Sequence, residues 1–159
     1  MLLINNEKTL SREIDNFRKS GKLINFIPTM GNLHIGHSSL FKKSEDTDEI
    51  RIVSIFVNPL QFNDYNDFNN YPRTIESDKQ KLLAEAVDVL FLPDAKIIDA
   101  VRIVFRLGLV SRKLCGIDRS GHFEGVAKII LKFLEFLNLH NHNQVTDIQH
   151  LLLFQLLLD

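Results

Sequence analysis

The spacing of apolar residues changes several times along this chain, and each change marks an element. Leu10, Ile14 and Phe17 recur at helical spacing, with Thr9 placed to cap the stretch and Gly21 placed to stop it. Leu23 to Ile27 is a short apolar run ending at Pro28, a strand by its length. From Ile35 through Lys43 the pattern is helical again, with Leu40 and Phe41 packing it down. Ile50-Arg51-Ile52-Val53-Ser54-Ile55-Phe56-Val57 is almost wholly apolar and β-branched, as in a central strand covered on both faces, and it ends at Asn58-Pro59. The polar, aromatic-dotted stretch from Gln61 to Tyr71 predicts a loop. Thr74 to Ala86 predicts a helix with Ile75, Leu82 and Leu83 inward, and Val87 to Leu92 a buried strand closed by Pro93. Beyond it the pattern weakens: Val101 to Phe105 reads as a strand and Gly125 to Leu137 as a helix.

Strands alternating with helices imply an α/β architecture with a parallel sheet, whose ligands bind beyond the carboxyl ends of the strands. Two strings, residues 28 to 37 and 58 to 61, fall at such ends. The length suits one domain, and 45% hydrophobic with 25% charged residues suits a buried core rather than disorder. Formal net charge is −1 with the signs interspersed, so neither a nucleic-acid stripe nor a membrane-surface helix is expected, and the partner is expected to be a small molecule. The single cysteine, Cys115, cannot form an internal disulfide and reads as a buried small residue. The start, Met1 to Glu7, lacks the features of a signal peptide, so a cytoplasmic location is expected. The leucine-rich run from Leu151 to Leu158 is too short to span a bilayer.

The chemistry concentrates in His34-Ile35-Gly36-His37, within Pro28-Thr29-Met30-Gly31-Asn32-Leu33-His34-Ile35-Gly36-His37, directly behind a strand. A strand, a glycine-bearing turn and a helix start bring backbone N–H groups to one point, which suits a phosphate chain, and two histidines add donors. The plainer alternative is an ordinary turn carrying two surface histidines. No metal site is expected, because His140, His142 and His150 have poor zinc spacing and no cysteine nearby.

These strings resemble the pantothenate synthetase family, the pantoate and β-alanine ligases of the nucleotidyltransferase superfamily. Val53 to Phe62 resembles the family's second signature, Tyr71-Pro72-Arg73-Thr74 with Asp78 its third, and Leu114-Cys115-Gly116 through Gly125-Val126 a later stretch with Ser120 where a proline is usual. The resemblance covers residues 1 to about 135, and Lys132 sits near the family's next lysine. It implies a Rossmann-like nucleotidyltransferase fold, a parallel sheet flanked by helices, over residues 1–137. It also implies a two-step ligation: ATP and pantoate give pantoyl adenylate, and β-alanine then displaces AMP to give pantothenate, with Mg2+ accompanying ATP.

By the same resemblance His37 and His34 are the catalytic pair, His37 being the residue credited as proton donor. Met30, Gly31, Asn32, Leu33, His34, Ile35, Gly36, His37 and Asp147 would meet ATP, and Gln61, Met30 and His150 the pantoate and β-alanine. The sequence does not fix partners for Arg119 and His122. The tail 138–159 departs from the pattern: Asp147 and Gln149 match, but Thr146 stands where the family has a lysine and His150 where it has a pantoate glutamine. Thr146 supplies no positive charge, which predicts weakened activity. The family's C-terminal lid domain, with its Ser-Ser-Arg string, is expected to be missing, and a homodimer is left open. Two further readings compete: a remnant that binds nucleotide without turnover, and another nucleotidyltransferase sharing the first motif.

Overall fold

The computed structural model describes residues 1–42, 48–97 and 122–137. Val101 to Phe105, Cys115, Arg119, Thr146, Asp147, His150 and the leucine-rich tail lie outside them. In order, the elements are β1 (Leu2–Ile4), α1 (Glu7–Lys19), β2 (Leu23–Thr29), α2 (Ile35–Phe41), β3 (Glu49–Ile55), a 3-10 turn (Pro59–Gln61), α3 (Tyr65–Asn70), α4 (Ile75–Ala84), β4 (Val89–Phe91), a second 3-10 turn (Ala95–Ile97) and α5 (His122–Phe136). The four strands form one parallel sheet in the order β1-β4-β3-β2. The chain first crosses the whole sheet from β1 to β2 and then steps back through β3 to β4. Right-handed crossovers put helices on opposite faces when the direction of travel reverses.

Side-chain alternation along the strands divides the core accordingly. Phe26, Ile52, Val89 and Phe91 meet Leu10 and Ile14 of α1 and Val126, Ile129, Ile130 and Phe133 of α5 on one face. Ile27, Val53 and Leu90 meet Phe41 of α2, Leu82 of α4 and Leu33 on the other. Leu40 is partly buried against that second cluster, as its spacing predicts.

The differences from expectation have local causes. Asn6, not Thr9, caps α1: its side chain accepts from the Thr9 N–H at 2.9 Å, so Thr9 lies inside the first turn. Asparagine is at least as good an N-cap as threonine. Strand β2 runs through Pro28 to Thr29, with Pro28 opposite Ser54. Among the described residues β2 is an edge strand, where a missing N–H is tolerated. Strand β3 stops at Ile55 rather than Val57, and α2 stops at Phe41 because Lys42 is already extended. Leu82 is buried as its spacing predicts, but Leu83 is 56% exposed, and the other buried position of α4 is Asp78, one turn before Leu82. The stretch from Gln61 to Tyr71 contains α3, which Asp64 caps at the Asn66 N–H. Arg73 closes its other end, donating to the carbonyls of Phe68, Asn69 and Tyr71 with its guanidinium 5.0 Å from the Phe68 ring centre. Strand β1 was not legible, because three residues are too few to display a period.

Candidate functional site

Strands β2 and β3 end side by side, and the turns that leave them are built by different means. After β2, Thr29 Oγ donates to the Ser54 carbonyl at 2.8 Å and accepts the Gly31 N–H at 3.2 Å, tying the turn to its neighbouring strand. Gly31 has φ +85°, and a Cβ there would lie 2.9 Å from Ile55 Cγ2 and 3.2 Å from Asp78 Oδ2. Only glycine combines that backbone with that approach. Asn32 follows at φ +51°, a conformation asparagine tolerates. Leu33 then drops into the core at 2% exposure.

The two histidines hold each other's backbone. His34 caps α2, its Nδ1 accepting the Gly36 N–H at 3.0 Å, while His37 Nδ1 accepts the His34 N–H at 3.2 Å. This is a reciprocal capping box made from two imidazoles. A nitrogen that accepts carries no proton there, so in this arrangement each ring presents its N–H at Nε2. The rings meet edge to face at 4.2 Å, and His37 lies nearly parallel to Phe41 at 6.4 Å. His34 is exposed and His37 buried.

Burial, and secondarily the neighbouring His34, lower the His37 pKa, with Asp78 opposing. The folded state therefore holds this proton less well than the unfolded chain does. The stability His37 contributes is complete above its ordinary value and is lost as pH falls through that value toward the lowered folded one. Denaturation midpoints are expected to drop more steeply from about pH 7.5 to about pH 5.5 in the wild type than in His37→Asn. Parallel curves would mean that His37 is not linked to folding.

The second turn, after β3, is organised by Asn58, which is 1% exposed. Its Oδ1 accepts the Leu60 N–H at 3.1 Å, while its Nδ2 donates to Gln61 Oε1 at 2.9 Å and to the Gly125 carbonyl at 3.0 Å. Gln61, 2% exposed, is thereby oriented by a neighbour three residues earlier. Helix α5 reaches this turn through Gly125, where a Cβ would stand 2.3 Å from the Leu60 oxygen and 2.5 Å from its carbonyl carbon. Backbone cannot yield as a side chain does, so Gly125→Ala is expected to destabilise by about 2 kcal/mol as α5 backs away. Urea denaturation checks this, and an unchanged midpoint would show that the contact is not tight.

The sequence-predicted residues thus divide. Met30, Gly31, Asn32, Leu33, His34, Ile35, Gly36 and His37 form one continuous turn and helix start, with Met30 buried and Ile35 91% exposed. Gln61 lies on the second turn, at the end of the adjacent strand. Asp147 and His150 lie outside the described residues. Sequence reasoning missed the supports: Asn58, read only as a strand end, Lys81, and Asp78, quoted only as part of a string. Asp78 is 1% exposed, and its carboxylate accepts from the N–H groups of Asn32 and Leu33 and from Thr74 Oγ. A carboxylate at an inward helical position was the available signal. Among the described residues no three His, Cys, Asp or Glu side chains gather to hold a metal ion, and no helix is long and apolar enough to cross a membrane.

A sequence profile described as pantoate-beta-alanine ligase matches residues 2–155. A pantothenate synthetase of Thermodesulfovibrio yellowstonii is 48% identical over 127 residues, covering 79% of this chain and 44% of that protein. One from Vibrio parahaemolyticus is 50% identical over 121 residues, covering 73% and 40%. Among solved structures, the Francisella tularensis pantoate-beta-alanine ligase complexed with beta-gamma ATP and beta-alanine superposes with a TM-score of 0.77 at 39% identity, covering 86% of this chain and 53% of that one. The chain spans less than half the length of the two relatives matched by sequence.

Proposed function

The chain belongs to the pantoate-beta-alanine ligase family, and from that premise we propose that its two turns bind ATP and pantoate and join them as pantoyl adenylate. A pantoate carboxylate oxygen bonds to the α-phosphorus, the bond to the bridging oxygen breaks, and pyrophosphate leaves. The β-alanine nitrogen then attacks the acyl carbon and loses a proton, and AMP departs with the bonding electrons. Negative charge grows on the phosphates in the first step, so donors fixed beforehand lower its barrier most.

The observation that supports this reading most is the capping box. With each Nδ1 engaged by backbone, each ring keeps an Nε2–H as its remaining donor, at the turn where the parallel sheet offers its ligand end. Met30 through Gly36 would lie along the nucleotide, and Gln61, oriented by Asn58, would hydrogen-bond the pantoate hydroxyl or carboxylate. Asp147 would meet ATP and His150 the acid. Magnesium would enter as the counterion of ATP, since it binds through substrate phosphates and water with few protein ligands. With Thr146 in place of a cation, turnover is expected to be slow.

The test is the purified chain with ATP, magnesium, pantoate and β-alanine, following AMP and pantothenate. AMP release that requires pantoate supports the reading. ATP binding with no pantoate-dependent AMP would replace it with that of a nucleotide-binding remnant. In an active preparation Gln61→Ala is expected to raise the pantoate KM about tenfold, the worth of one hydrogen bond to a charged group, with little change for ATP. Equal shifts for both substrates would remove Gln61 from the acid's site.

A further inference from the structure

Leu33 is held at both its amide and its carbonyl by a single helix. Its N–H donates to Asp78 Oδ1 at 2.8 Å, its carbonyl accepts from Lys81 Nζ, and the preceding Asn32 N–H donates to Asp78 Oδ2 at 2.9 Å. The Leu33 carbonyl and the His34 N–H belong to one rigid peptide plane. Lys81 holds that plane at its oxygen, and His37 Nδ1 holds it at its hydrogen. We propose that Asp78 and Lys81 are positioning residues for the nucleotide turn, gripping it from α4 and thereby setting where the imidazoles of His34 and His37 lie; what those imidazoles do rests on the ligase reading above.

The chemistry of the grip is specific. Three donors, the N–H groups of Asn32 and Leu33 and the Thr74 hydroxyl, converge on one carboxylate that is 1% exposed. A carboxylate is an acceptor at both oxygens, whereas the isosteric amide of asparagine would set an NH2 against one of those N–H groups. Lys81 works from a different footing: its side chain is 48% exposed and 4.0 Å from Asp78 Oδ1, so it can be replaced without opening the core. Both groups also act on His37 through space, Asp78 raising its pKa and Lys81 lowering it. Loss of either should therefore reach the imidazole, and in opposite directions.

The experiment uses the 15N-labelled chain and compares wild type, Lys81→Met, Lys81→Arg and Asp78→Asn by amide hydrogen exchange, by imidazole nitrogen shifts across pH, and by MgATP binding. Lys81→Met is expected to speed exchange at the His34 amide about tenfold, weaken the Nδ1 acceptor signature of His37 and raise its pKa, with Lys81→Arg restoring much of the wild-type behaviour. Asp78→Asn is expected to expose the Asn32 and Leu33 amides and lower the His37 pKa. MgATP affinity is expected to fall about tenfold in Lys81→Met and Asp78→Asn. Should Asp78→Asn fail to fold, Lys81→Met decides. Folded variants with wild-type His34 exchange and unmoved imidazole shifts would overturn the positioning role, whatever the nucleotide result. A wild type that ignores MgATP while the variants still shift the imidazoles would uphold the grip and remove the ligase reading instead.

Discussion

Arg51→Met is expected to lower folding stability by about 3–5 kcal/mol, the worth of three hydrogen bonds from one buried charged donor at about 1.5 kcal/mol each. Arg51 sits in the middle of the sheet, on β3, at 5% exposure. Its Nη1 donates to the carbonyls of Phe41 and Glu85, its Nη2 to that of Ala86, and its Nε lies 3.6 Å from Asp88 Oδ2. Phe41 is the last residue of α2, and Glu85 and Ala86 follow α4, so one guanidinium satisfies carbonyls at two helix C-termini, where partial negative charge accumulates. Methionine fills much of the volume and supplies no donor. It leaves the buried Phe41 carbonyl unpaired, takes a charged partner from the partly buried carbonyls of Glu85 and Ala86, and leaves Asp88 without its countercharge. Since domains of this size are stable by only about 5–15 kcal/mol, the variant should be marginal at room temperature. Arg51→Lys is expected to recover only part of the loss, because one ammonium cannot reach both helices in the planar fork that arginine offers. Denaturant titration measures both; a loss under about 1 kcal/mol for Arg51→Met would show the contacts to be dispensable.

Nothing in the sequence pattern announces that contact. Arg51 stands alone in a run otherwise fit for a central strand, and its partners come from two helices that meet only once the sheet has formed. The same reason separates what was legible in the site from what was not. The placement of His34 and His37 at a strand end depends on neighbours in sequence, so the short apolar run and the glycine-bearing turn revealed it. The grip of Asp78 on residues 32 and 33, and of Asn58 on Gly125, joins positions far apart in the chain. Periodicity carries no information about such pairs, and the family resemblance supplied Asp78 and Gly125 only as members of strings, without a task. Within helices, spacing alone placed the cap of α1 at Thr9 although Asn6 was also able to cap, and turned Leu83 inward together with Leu82 although only Leu82 meets the sheet.

In an active preparation, His37→Ala is expected to reduce pantoate-dependent AMP formation about a hundredfold, the usual cost of one preorganised donor facing developing charge. Alanine removes two things at once, the Nδ1 that accepts the His34 N–H and the Nε2–H proposed to meet phosphate, and two nearly isosteric amides separate them. In His37→Asn the side-chain oxygen falls near the position of Nδ1, so the box around His34 and the stability of the turn should persist while the rate stays near that of alanine. In His37→Gln the amide N–H reaches toward the position of Nε2, so part of the rate should return although the box is weakened. The neutral ring makes this partition meaningful: Nδ1 is occupied by backbone, and protonating it would break the bond that orients His34. The imidazole would then act in adenylation as a fixed donor to the leaving phosphates rather than as a resident imidazolium. Measured as single-turnover AMP release beside thermal stability, an active His37→Asn together with a glutamine variant as slow as alanine would assign the ring's contribution to the cap and leave the phosphate to His34.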